Sequence, residues 1–107
     1  EIAKTHAELA LDFAETAEDE IRKYWSKIRY ATACLQGGEF QEAFDYFYEA
    51  KTWEVSESKY CFWPHVFALE LKMADCIDGL GGADDATEVR RRIGALAASL
   101  GVEPDMP

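Results

Sequence analysis

No stretch of about 18 or more apolar residues occurs in this sequence, so a helical membrane span is not expected. No charged-then-apolar leader opens it, so no signal peptide is expected either. Positive charge is scarce: 11 Lys and Arg stand against 21 Asp and Glu, a formal charge of -10. Such a surface repels a phosphate backbone, which argues against nucleic acid as a partner. Cysteine is limited to Cys34, Cys61 and Cys76, an odd number that cannot pair fully within the chain. Each lies in an apolar helical stretch, as buried thiols do. A reducing, cytoplasmic setting is the simplest expectation.

What is present is enough to fold. Hydrophobic residues make up 49% of the 107 residues and aromatics 13%, far from the composition of disordered chains. The length suits one domain with a core that needs neither disulfides nor a metal. We place that domain at residues 1–101 and a loose tail, with two prolines, at 102–107.

Glycine and proline are absent from Glu1 to Gln36. There Ala3, Ala7, Ala10, Ala14, Ala17, Ile21, Tyr24, Ile28, Ala31 and Leu35 recur at alternating spacings of four and three, a helical seam. One continuous helix would span roughly 50 Å at ~1.5 Å per residue. Either its N-terminal half overhangs to meet a partner, or it breaks near Thr16 to Asp19. Gly37 and Gly38 end the seam. Phe40, Ala43, Phe47 and Ala50, flanked by Phe44 and Trp53, then mark a helix from about Glu39 to Glu54 that packs antiparallel to the first.

Ser56 and Ser58 are candidate caps, and Pro64 is tolerated only in a first turn, so the next helix starts between Lys59 and Pro64. Its stripe is Val66, Leu69, Met73, Ile77 and Leu80, widened by Phe67, Leu71 and Ala74, up to the glycines Gly79, Gly81 and Gly82. Asp84 or Asp85 caps a last helix carrying Ala86, Val89, Ile93, Leu96 and Leu100, which Gly101 stops. The fold class expected is all-α, with four helices.

The run from Gln36 to Ala50, QGGEFQEAFDYFYEA, resembles the turn and second helix of a tetratricopeptide repeat (TPR). Ala31, Gly38, Phe40, Ala43, Phe47 and Ala50 match that family's small and aromatic positions in order. Small residues let paired helices touch, and Phe47 fills the gap beside Ala50. Lys27 departs from the pattern, standing where an aromatic is usual with Trp25 nearby, and no proline follows Trp53. Met73, Ala74, Ile77, Gly81, Ala86 and Ile93 lie on the same template, with Arg90 at a position that calls for a large apolar residue. The resemblance implies TPR-like antiparallel hairpins whose curved surface binds segments of other proteins, and about three repeats are normally needed to stand alone. With at most two here, the missing packing would come from the first helix folding back, from a partner or from a second copy. A homodimer through the Ala3 to Ala17 seam is the self-associating alternative.

The sequence carries no recognisable enzymatic signature. A di-iron carboxylate site needs a Glu three residues before a His; neither His6 nor His65 has one. Cys61 and His65 are the single arguable ligand or nucleophile pair, with Pro64 between them and no second pair to complete a zinc site. Gly79 to Gly82 lacks the Lys-Ser or Lys-Thr of a phosphate loop. Neither a cofactor nor a metal is expected, and the chain is taken not to be an enzyme. The densest local feature is Tyr60, Phe62, Trp63, His65 and Phe67, close to Trp53. These rings cannot all point inward from one helix start. Aromatic anchors near Arg or Lys are typical of binding hot spots. The expected partner-binding residues are therefore Tyr24, Trp25, Arg29, Trp53, Tyr60, Trp63 and His65, in an adaptor, chaperone or assembly module.

Overall fold

The computed structural model describes residues 2–16, 20–58 and 61–105, with side chains within the first stretch given for 4–11. Among the described residues there are five helices: α1 (Ile2–Thr16), α2 (Glu20–Gln36), α3 (Phe40–Ser56), α4 (Trp63–Gly79) and α5 (Ala83–Leu100). No strand occurs among the described residues. The class is all-α as expected, with five helices rather than four. The N-terminal seam does not overhang: α1 ends at Thr16, and α2 starts at Glu20 and packs against it. Lys4 on α1 pairs with Glu39 just beyond the far end of α2, and the Tyr30 hydroxyl reaches Glu8 at 3.5 Å. The two helices are therefore antiparallel. Leu11 is buried in the shared core with Ala7 against it. Ala3, Ala14 and Ala17 of the seam lie outside the described side chains.

Each helix packs chiefly on the next in sequence, α1 on α2 through to α4 on α5. The extents are 39 × 34 × 19 Å, a slab whose thin dimension accommodates two helix layers at the usual 8–10 Å spacing. Fully buried Ala31, Ala43 and Ala50 lie where the middle helices meet, since a methyl side chain lets neighbouring axes approach. Phe47 and Leu69 fill the remaining volume between them. A second cluster, Phe67, Ile93 and Ala97, joins α4 to α5 with Leu71, Val89 and Val102.

The turns close by local geometry. At Gly38 (φ 80°) the chain enters the left-handed region; Gly38 N–H donates to Leu35 O (3.2 Å) and Glu39 N–H to Cys34 O (2.8 Å), the paired bonds of a Schellman cap. The same pairing recurs at Gly81, with Gly82 N–H on Ile77 O at 2.9 Å.

Several expected details change. Gly82, not Asp84 or Asp85, holds the N-cap of α5, while the two acids fall in its first turn, where they oppose the positive end of the helix dipole. Phe62 caps α4 without a side-chain bond, so neither Ser56 nor Ser58 does. Leu80, Leu96 and Leu100 are exposed: on α5 the buried line passes through Ile93 and Ala97 instead. Arg90, on a position expected to be apolar, reaches across to Asp75 (2.8 Å) and Asp78 (3.3 Å) of α4. Residues 102–105, expected to be loose, return along α4, with Asp105 N–H on Pro64 O at 3.1 Å.

Gly79 shows how closely α3 and α4 approach, because a Cβ built there overlaps the Phe40 ring, whereas one at Gly94 on α5 meets nothing within 4 Å. Gly79→Ala is expected to lower stability by about 1–3 kcal/mol through overpacking. Gly94→Ala should raise it by about 0.5–1 kcal/mol, since alanine favours a helix interior. Urea unfolding of both variants checks the pair; a gain at Gly79 would show that the Phe40 contact imposes no constraint.

Candidate functional site

Glu54 is 4% exposed, a carboxylate buried on the last turns of α3. An unpartnered carboxylate in such a place costs several kcal/mol, and two neighbouring helices supply what it needs. From α2 the Tyr24 hydroxyl donates to Glu54 Oε1 at 3.0 Å. From α4 His65 Nδ1 lies 3.4 Å from the same oxygen, an ion pair when the ring is protonated. Helical spacing explains why these side chains meet: Glu54 is four residues beyond buried Ala50, and Tyr24 four before buried Ile28, so both face the α2–α3–α4 junction.

Aromatic rings close around the carboxylate. Tyr24 packs on Trp53 (centroids 4.9 Å apart) and edge-on to Trp25 (5.1 Å). His65 meets Trp25 edge-on at 5.2 Å and Phe62 at 4.5 Å. Of the residues singled out from sequence, Tyr24, Trp25, Trp53 and His65 thus form one cluster. Glu54, its centre, was not among them. A lone acid within an apolar helix stripe is the signal that could have found it.

The remaining candidates separate. Tyr24, at 4% exposure, is a core residue and cannot meet a partner directly. Trp63 is half-exposed and leans on Phe67, in the α4–α5 cluster. Tyr60 lies outside the described residues. Arg29 stands exposed on α2 and has no ion-pair or hydrogen-bond partner among the described residues.

Arg29 is also where surface depressions converge. One of about 540 Å³ is lined by Trp25, Ile28, Arg29 and Thr32. A neighbour of about 410 Å³ extends it past Ile21, Arg22 and Ser26. Another, about 300 Å³, lies between α1 and α2, with His6, Ala7 and Ala10 facing Ala33 and Gln36. All share Arg29, so the outer face of α2 is a continuous furrow backed by the Glu54 cluster through Trp25.

No protein-family model, curated protein or solved structure matches this chain. Its site is therefore read from its own chemistry.

That chemistry does not favour a thiol nucleophile. Burial and then the charge of Glu54 push the Cys61 thiol up, which holds it protonated, the opposite of what attack requires. Cys76 is likewise raised, to about 11, by burial first. Cys34, Glu39 and Glu42 bring potential metal ligands within 4.8 Å of one another, but the Lys4 ammonium pairs with both glutamates and the Tyr30 hydroxyl with Glu42. An internal cation already balances that group.

Burial, the Glu54 charge and the hydrogen bond to it push the Tyr24 phenol well above its ordinary 10.0. Burial and the Glu42 bond do the same to Tyr30. A raised folded-state value favours the protonated phenol, so this stability is complete below about pH 10 and is lost as pH rises further. Stability is thus expected to fall progressively as pH rises above about 10, and Tyr24→Phe should make that fall shallower. At neutral pH the same variant should lose about 1–3 kcal/mol, because a buried carboxylate gives up a donor. Unfolding curves at several pH values measure both; an unchanged alkaline slope would separate Tyr24 from the effect.

Proposed function

We propose that this chain is a protein-interaction module, an adaptor, chaperone or assembly factor, that seats a segment of another protein along the outer face of α2. The single observation that carries this is Arg29: a cation with no ion-pair or hydrogen-bond partner among the described residues, at the meeting point of adjoining depressions, beside the half-buried indole of Trp25. Apolar surface next to an exposed guanidinium is the make-up of a binding hot spot. Trp25 is held edge-on by Tyr24 and His65, so little rotamer freedom remains to be lost on binding. Complete burial of Ala31, Ala43, Phe47 and Ala50, with each helix packed on the next, supports a TPR-like arrangement in which a helix face is the recognition surface. In this function the chain uses no cofactor.

Peptides selected from a displayed random library on the intact chain test the placement. Backbone amide shifts caused by a bound peptide are expected to concentrate between Ile21 and Gln36. Arg29→Ala, which removes no internal bond among the described residues, should weaken such a peptide about tenfold, the effect of losing a hot-spot contact, while Trp63→Ala should not. Shifts centred on Trp63 and the α4–α5 cluster would move the site there.

A further inference from the structure

We propose that this chain forms a weak two-fold dimer, in which the last turns of α5 pack against those of a second copy. The interface lies apart from the α2 face and does not depend on the binding reading above.

The first ground is an apolar end of the molecule that the chain leaves uncovered. Helix α5 packs chiefly on α4 and buries Ala86, Ile93 and Ala97, while Leu96 and Leu100 stand 45% and 58% exposed. At spacings of four, exposed Arg92, Leu96 and Leu100 follow one line of the helix surface, the kind of ridge that fits the groove of another helix in the commonest packing class. Ala95 and Ser99, also exposed, run beside that line and let a second backbone come close. The patch extends onto α4. Phe67 packs with Ile93 and Ala97, and Asp105 N–H returns to Pro64 O at 3.1 Å, so half-exposed Trp63 stands at the same end as the two leucines.

The second ground is the order of charge along α5. From Ile93 to Val102 there is no charged residue, in a chain where 30% are charged and the net charge is -10. Two copies repel each other over most of such a surface, but here they can touch without bringing acids together. Arg92 bounds the run on one side and Glu103 on the other, and neither forms an ion pair among the described residues. Glu88, one turn before Arg92, is held by Arg91 at 2.6 Å. Arg29 and Lys72 also lack an ion pair among the described residues; Arg92 differs in standing on a leucine ridge with an acid at its far end. A two-fold axis through the patch sets the two α5 helices antiparallel, which turns each Arg92 toward the Glu103 of the other copy. The sequence of cation, apolar ridge and anion is thus complementary to itself, and that argues for a second copy as the occupant. The alanine seam of α1 is not this interface, because Ala7 lies against the internal core.

The test is the mass of the intact chain by sedimentation equilibrium, without peptide, from about 10 μM to about 1 mM, the range of a weak interface. A monomer–dimer equilibrium is expected, with concentration-dependent amide shifts between Arg92 and Glu103. Leu96→Lys with Leu100→Lys should abolish the dimer and leave the helical circular dichroism unchanged, since both positions are exposed. Lysine lowers the repulsion between two acidic chains, so this loss reports the apolar contact. Arg92→Glu and Glu103→Arg should each weaken the dimer about tenfold, and the two together should restore it. A monomer throughout the range, or a dimer that survives the double lysine variant, would overturn the proposal. Loss with the leucines but no recovery on charge reversal would overturn the antiparallel arrangement, and with it the argument for a second copy.

Discussion

The carboxylate of Glu54 is the constraint on which the arrangement of the middle helices depends. A buried charge is tolerable only where polar partners surround it, and here they come from helices on both sides, the Tyr24 hydroxyl of α2 and the His65 imidazole of α4. Apolar packing alone is non-directional and would accept small rotations of these helices. A hydroxyl at 3.0 Å from one carboxylate oxygen does not, because the bond weakens steeply with distance and angle. The rotation of α2 is thereby set, and with it the identity of its outer face.

That link joins the core to the surface. With Tyr24 turned inward, Trp25 follows about 100° further round the helix and lies half-in, against His65, while Arg29 stands one turn beyond it in solvent. The furrow around Arg29 thus has a rigid apolar floor because the buried cluster behind it is satisfied. Helix α1 completes the surface by folding back on α2: Lys4 anchors it to Glu39 and Glu42 near the α2–α3 turn, and its alanines form the furrow's low wall.

Charge is distributed accordingly. Most basic side chains are spent on internal carboxylates, as with Lys51 and Glu70 at 2.8 Å or Arg90 and Asp75 at 2.8 Å, which tie neighbouring helices together while leaving the surface strongly acidic. Exposed pairs of this kind contribute little to stability individually. Arg29 has no such pair among the described residues.

Much of the helical layout was legible in the sequence, because helix formation is governed by neighbours along the chain. The apolar repeats at three and four residues, the glycines after Gln36, Gly79 and Leu100, and Pro64 in a first turn placed α3, α4 and α5 within a few residues. Residue type also flagged Trp25, Arg29, Trp53 and His65. Tertiary structure decided what periodicity cannot encode: that the N-terminal seam divides and folds back, that Leu96 and Leu100 face solvent while Ala97 is buried, and that the chosen aromatics gather around Glu54 while Trp63 belongs to another cluster. Burial depends on which surface arrives from elsewhere in the chain. A glutamate on a helix reads as solvated until two other helices bring a hydroxyl and an imidazole to it, and only their packing made this one the centre of the fold.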